Sequence, residues 1–271
     1  MLFDGVLLAS DFDGTFVTTE GKITEGVRRA VRFFMDNGGR FTICTGRTHL
    51  GFHAYSPDYI NAPVVLAGGG LIYDYAANRP VLINGVGDEA LDALQAVAVR
   101  FPQLCIDLYA PDCAHSVNTS PFAIEHFNSQ SIPYHTIADP AESPRPWPKV
   151  ALGGDCKDIA KAQIFLKEHF PHIHFLPTDG VFLEILRPGV DKGSGLLALA
   201  DHLGIEHRHV YAVGDGYYDR EMLHAAAIGF VPANGDAVAK SCAGQIVRSN
   251  DEDAVAHVIE ILAEMYANGS R

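Results

Sequence analysis

The 271-residue sequence predicts an α/β protein: a Rossmann-like parallel sheet core with a separate α+β domain inserted into it. Three observations carry that reading. Short, near-continuous apolar runs at 6–9, 41–44, 64–67, 209–213 and 228–231 fit strands buried on both faces. Helical stripes lie between several of them. Between residues 85 and 187 the strands shorten and the loops lengthen, as expected of an inserted domain.

The elements follow in order. After the run at 6–9, Val27, Ala30, Val31, Phe34 and Met35 share one helix face. Thr24 is its expected N-cap, and Gly38-Gly39 its stop. The strand at 41–44 ends at Thr45-Gly46-Arg47, and the strand at 64–67 runs into Gly68-Gly69-Gly70. Within the insert, Leu91, Leu94 and Ala98 mark a helix over 88–100. Segments 106–109 and 114–117 fit a hairpin, and 139–148 is a Pro-rich surface loop containing Trp147. A helix over 158–169 and strands at 172–176 and 181–186 complete it. The α/β pattern then resumes with Leu196, Leu199, Ala200 and Leu203 on a helix closed by Gly204. Strands at 209–213 and 228–231 and an amphipathic helix over 251–266 end the chain. The expected domains are therefore a core of 1–84 with 188–271 and an insert of 85–187.

Composition narrows the functions. A formal net charge of -13 repels nucleic acid and anionic lipid, so neither is an expected partner. The five cysteines show no C-x-x-C pairing, which fits a reducing compartment rather than a disulfide scaffold. The first residues carry no basic region of the secretory kind, and no apolar stretch approaches the ~20 residues that span a bilayer. A cytoplasmic globular protein is expected.

The chemistry lies where the strands end. Asp11 and Asp13 directly follow the first strand, Thr45 the second, and Asp215 and Asp219 a strand near the other end of the sequence. Ligands bind open parallel sheets along the carboxyl edge, so residues far apart in sequence converge there. Two carboxylates ~4 Å apart repel by roughly 4 kcal/mol at an effective dielectric of about 20, so such a group needs a counter-charge. Mg²⁺ suits oxygen ligands, and the absence of an accompanying Cys/His cluster argues against zinc. A neutralised aspartate can attack phosphorus, and Asp13 can serve as acid and then base. Thr45 and Lys192 offer donors to phosphoryl oxygens.

Asp11-Phe12-Asp13-Gly14-Thr15, Thr45-Gly46-Arg47, Lys192-Gly193 and Gly214-Asp215-Gly216-Tyr217-Tyr218-Asp219 occur in that order. Together they resemble the four motifs of the haloacid dehalogenase (HAD) superfamily of phosphohydrolases. The long insert between the second and third motifs looks like the α/β cap of the Cof-type, subclass IIB branch, rich in sugar-phosphate phosphatases. The resemblance implies a Mg²⁺-dependent phosphomonoesterase acting on a small phosphorylated metabolite through an aspartyl-phosphate. It implies Asp11 as nucleophile and metal ligand, and Asp13 as acid/base with its backbone carbonyl on the metal. It further implies Thr45, Gly46, Arg47, Lys192 and Asn234 on phosphate or substrate, with Arg47 and Asn234 at the site edge, and Asp215 and Asp219 at the metal. Two positions depart from the pattern: Tyr218 replaces the Asn common in the last motif, and Gly68-Gly69 replaces the Asn-Gly that often follows the third strand.

Other readings stand beside these. Asp11-x-Asp13 does not open an EF-hand, because the sixth and twelfth positions would be Phe16 and Lys22. Asp219 and Asn234 each also suit an N-cap. His169, His172 and His174 lie close in sequence, but nothing fixes a further metal ligand beside them. Cys44 suits a small buried hydrophobe, and Trp147 either a core position or a substrate contact. Three functions share the motif set: a phosphatase, a phosphotransferase or phosphomutase, and a non-catalytic phosphate-binding relative. A receiver domain also gathers aspartates, a Thr and a Lys around Mg²⁺, but leaves the insert unexplained.

Overall fold

The computed structural model describes residues 1–178 and 180–269. The first apolar run is β1 (Leu7–Ser10), buried throughout, which ends at Asp11 and a tight turn over Phe12–Phe16. Helix α1 (Glu25–Asp36) starts where expected: the Thr24 hydroxyl accepts the Val27 N–H at 3.1 Å, and Val27, Val31 and Phe34 are buried. β2 (Arg40–Ile43) and β3 (Val64–Leu66) follow. The apolar run at 64–67 does not continue the parallel sheet, to which it is joined by a single bridge between Val65 and Cys44. It instead pairs antiparallel with β4 (Leu71–Asp74), and β5 (Arg79–Ile83) completes a separate three-stranded sheet. β4 buries only Leu71 and Ile72, and β5 is partly exposed throughout, so neither carries a clear strand pattern in the sequence.

The middle of the chain contributes α2 (Ala90–Arg100), β6 (Cys105–Tyr109), β7 (Ala114–Val117), α3 (Pro121–Ser129), β8 (Tyr134–Thr136) and β9 (Lys149–Gly153). It continues with α4 (Cys156–His169), β10 (His174–Thr178) and β11 (Phe182–Leu186). These strands form one six-stranded sheet in the order β10-β11-β9-β6-β7-β8. The expected hairpin is present, with Ile106 opposite Val117. Trp147 resolves toward the core: it is 1% exposed, donates Nε1–H to the Ser143 hydroxyl at 3.0 Å and carries the Arg145 guanidinium 3.8 Å above its ring. His169 and His172 hydrogen-bond the backbone carbonyls of Phe165 and Glu89, and neither they nor His174 join a ligand cluster among the described residues.

The chain returns through α5 (Lys192–Leu203), β12 (Val210–Val213), α6 (Arg220–Ala225), β13 (Ile228–Pro232), α7 (Ala237–Ser241), β14 (Gln245–Val247) and α8 (Ala254–Ala267). Asp191 and Ser194 form a reciprocal capping box at the start of α5, and Gly204 closes it in the left-handed conformation. A five-stranded parallel sheet results, in the order β14-β13-β12-β1-β2. Leu7 and Ala9 of β1 pack with Val210, Ala212, Leu196 and Leu199 in one core cluster. By contact the chain divides into two compact units: Met1–Gly46, Ala54–Val81 and Asp191–Arg271 form one, and Arg47–His53 and Leu82–Val190 the other. Among the described residues, no helix is long and apolar enough to cross a membrane.

Candidate active site

β1 and β12 lie side by side with Ser10 opposite Val213, and the Asp11 N–H donates to the Val213 carbonyl at 2.8 Å. From β1 the sheet grows in one direction to β2 and in the other to β12, which makes their shared carboxyl end a topological switch point. Asp11 and Asp215 are delivered there by the two strands, and Asp219 by the turn that follows. The first turn of α5 delivers Lys192. Its Nζ donates to Asp11 Oδ1 and to Asp219 Oδ1, each at 2.6 Å. All three residues of this ion triad are buried, at 6, 7 and 2% exposure for Asp11, Lys192 and Asp219. Asp11, Asp215 and Asp219 place one carboxylate oxygen each within 4.8 Å of one another.

Neighbouring donors fix these carboxylates. The Thr15 hydroxyl donates to Asp215 Oδ1 at 2.7 Å, and the Gly216 N–H to Asp219 Oδ2 at 2.9 Å. Gly14 is required between them for two reasons. Its φ is +79°, and a Cβ there would stand 2.6 Å from Asp215 Oδ2. The turn that carries Asp13 can therefore lie directly against the second strand's carboxylate.

The charges do not balance internally. Lys192 offsets one of the three carboxylates, so the cluster carries two uncompensated negative charges when ionised. Burial, against the pull of Lys192, pushes the Asp11 carboxyl well above its ordinary range. Burial raises Asp215 as well, opposed by the Thr15 hydrogen bond. Burial also works against the Lys192 ammonium, but Asp11 and then Asp219 outweigh it and hold its pKa well above the usual lysine value. A residual charge of about -2 held on oxygen donors suits a hard divalent cation, so the residues present fit one.

The remaining candidate residues are distributed as follows. Asp13 is exposed in the turn after Asp11, with non-helical φ/ψ of -81° and 121°. Thr45 is buried at the end of β2; its N–H donates to Val65 and its carbonyl accepts from Gly68. Gly46 is half-buried beside it, and Arg47 opens the segment grouped with the second unit. Asn234 follows β13 and is not an N-cap; Asp236 caps α7 through the Ala239 N–H. The Asn234 amide instead donates to the Gly14 carbonyl and accepts from the Asn250 N–H. Asp219 precedes α6 without a side-chain cap. Cys44 is fully buried, its thiol pushed up by burial.

The two departures differ in consequence. Gly68 has φ +62°, a left-handed conformation that Asn also tolerates, so the backbone turn is kept and only the amide is lost. Tyr218 lies edge-on to Tyr217, whose ring faces the Arg220 guanidinium. Thr15, Asn250 and Asp236 were not singled out from the sequence. Thr15 was visible within its motif, but nothing in a one-dimensional pattern marks Asn250 or Asp236.

Carboxylates from both ends of one chain thus meet beside a lysine at the switch point of a parallel sheet. The haloacid dehalogenase-like hydrolase family model matches residues 8–259, and the chain belongs to that family. The 5-amino-6-(5-phospho-D-ribitylamino)uracil phosphatase of Bacillus subtilis is 27% identical, over 96% of this chain and 99% of the relative. The pyridoxal phosphate phosphatase of Escherichia coli is 26% identical, over 93% and 97%. Among solved structures, a haloacid dehalogenase-like hydrolase from Bacteroides thetaiotaomicron superposes with a TM-score of 0.84 at 24% identity, over 95% of this chain and 99% of that one. A subclass IIB sugar phosphatase gives 0.82 at 17% identity, over 94% and 98%. These two likenesses establish the fold.

Proposed function

We propose that the protein is a Mg²⁺-dependent phosphomonoesterase acting on a small phosphorylated metabolite, with sugar phosphates the first class to test. The supporting observation is the Asp11–Lys192–Asp219 triad beside Asp215. The named activities of relatives that align over nearly the whole chain point the same way. The cation would be held by Asp11, Asp215, the Asp13 backbone carbonyl and Asp219. When bound, it would draw charge from the phosphate oxygens.

The chain's own residues carry the reaction. An Asp11 carboxylate oxygen attacks phosphorus while the bond to the leaving oxygen breaks, and the Asp13 carboxyl gives that oxygen its proton. The phosphoryl group then rests on Asp11. Asp13, now ionised, takes a proton from a water that attacks phosphorus while the bond from phosphorus to the Asp11 oxygen breaks, which releases inorganic phosphate and restores both aspartates. Two of the three Lys192 N–H donors hold Asp11 and Asp219, which leaves one for a phosphoryl oxygen. Thr45, Gly46 and Arg47 are assigned to the same group, and Asp11 is the assigned nucleophile. The core of 1–84 and 188–271 is assigned the chemistry, since Asp11, Asp215 and Asp219 all fall within it. The insert of 85–187 is assigned the choice of leaving group. Hydrolysis of p-nitrophenyl phosphate with Mg²⁺ tests the reading; Asp11→Asn should abolish it, and a wild-type rate in that variant refutes the assignment.

A further inference from the structure

The turn after β13 touches both loops of the candidate site without adding a carboxylate to the cluster. On one side, Asn234 Nδ2 donates to the Gly14 carbonyl at 2.9 Å. Asn234 Oδ1 accepts the Asn250 N–H at 2.8 Å. Asn250 is itself buried, and its Nδ2 donates to the Val17 carbonyl at 3.1 Å. Two linked amides thus grip the turn at Gly14 and again where it ends.

On the other side, the Asp236 N–H donates to the Asp215 carbonyl at 2.8 Å. Asp236 Oδ2 accepts the Tyr217 N–H at 2.8 Å, while its Oδ1 caps α7. Asn234 therefore reaches Gly14 from a base already tied to the last aspartate loop. The held turn contains Asp13, at φ -81° and ψ 121° directly before Gly14. Gly14 sits at positive φ and has no side chain of its own to restrain it. A carboxyl that must meet a leaving oxygen within ~3 Å tolerates little rotation of that peptide.

We propose that Asn234 and Asn250 form a relay that positions the Asp13 carboxyl for proton transfer. Both are positioning residues, and the amide of Asn234 serves the protein rather than the substrate. The inference rests on the phosphomonoesterase reading.

The test uses two aryl monoesters of nearly equal shape, p-nitrophenyl phosphate and phenyl phosphate. Phenol is the poorer leaving group, with a pKa of about 10, and relies more on a general acid. The ratio kcat/KM reports only steps through cleavage of the ester bond. Asn234→Ala and Asn250→Ala should each lower kcat/KM for phenyl phosphate at least about tenfold more than for p-nitrophenyl phosphate, part of the ~10²–10⁴ a general acid supplies. Asp13→Asn should show the same selectivity, more strongly. Asn250→Asp keeps the backbone donor and the side-chain shape while removing the amide donor to Val17. It should shift the ratio in the same sense, and it guards against misfolding of the alanine variant. Equal losses on the two esters, or no loss, overturn the relay. Wild-type turnover of neither ester, or full turnover by Asp11→Asn, overturns the phosphomonoesterase reading and the relay with it.

Discussion

Replacing Lys192 with Met keeps the length of the side chain and removes the ammonium shared by Asp11 and Asp219. Both contacts are 2.6 Å, and all three groups are buried. Removing one partner of a buried ion pair costs about 3–5 kcal/mol, because the other charge is left without compensation. Here two carboxylates lose their partner together, and at ~4 Å they repel by about 4 kcal/mol at a dielectric of about 20. In EDTA at neutral pH, Lys192→Met should therefore unfold at least about 3 kcal/mol more easily in urea. The sign with pH follows from Asp11, whose carboxyl burial has already raised above its unfolded value. A raised carboxyl stabilises the fold while protonated and loses that contribution as pH rises through the folded pKa. The variant's deficit should thus be smallest in acid, where the carboxyls are protonated, and grow as pH rises. Mg²⁺ should recover more stability in the variant than in wild type, since the variant's cluster carries one more negative charge. A deficit under about 1 kcal/mol in EDTA, the scale of an exposed pair, would refute the reasoning. So would a Mg²⁺ gain no larger than that of wild type.

Three further outcomes follow from named contacts. Asp11→Asn should abolish p-nitrophenyl phosphate turnover while leaving a folded protein by circular dichroism; residual turnover near the wild-type rate would reject Asp11. Gly14→Ala should weaken the Mg²⁺ dependence of turnover and lower stability by at least about 1 kcal/mol, because it combines a left-handed φ with a clash against Asp215. An unchanged Mg²⁺ titration would show that the turn has room to spare. In the second unit, Asp107 is fully buried, accepts the Ser116 hydroxyl at 2.7 Å, and is lifted by burial to about 6. Its unfolded value is about 3.9, so its contribution is complete below about pH 4 and lost as pH rises through the folded pKa. Asp107→Asn should therefore gain on wild type by up to about 3 kcal/mol between pH 4 and pH 8, read from urea midpoints; a pH-independent difference would show that Asp107 does not titrate there.

The parallel core was legible because its strands are apolar on both faces and its helices carry clear stripes. Thr24, Gly204 and the 106–117 hairpin could be read for local reasons: a hydroxyl cap, a left-handed glycine and alternating strands. What escaped was set by partners distant in sequence. β9 is entirely buried but follows a proline-rich loop, so it reads as that loop's continuation. α3 exposes most of its short length, and only Ala123 and Phe127 are buried. At the site, motif order singled out Asp11, Asp215, Asp219 and Lys192, which the fold gathers. Their supporting contacts were not legible. Thr15 to Asp215 spans 200 residues and Asn234 to Gly14 spans 220, distances over which no periodicity operates.

The same contrast between global and local reading decides how an acidic protein can take an anionic ligand. A net charge of -13 acts at long range and disfavours extended polyanions. Salt screens that field beyond ~10 Å, so a small phosphate responds to the groups it touches. At the cluster those groups are three carboxylates and one ammonium, and the ammonium already spends two of its N–H donors holding carboxylates in place. On the proposed reading, the ionised cluster would repel phosphate and a bound divalent cation would bring it close to neutral. Attraction would then come from the cation and from donors at the strand ends, with Lys192 assigned one hydrogen bond. Phosphate binding should accordingly depend more steeply on Mg²⁺ than on Lys192, an order that a positively charged pocket would reverse.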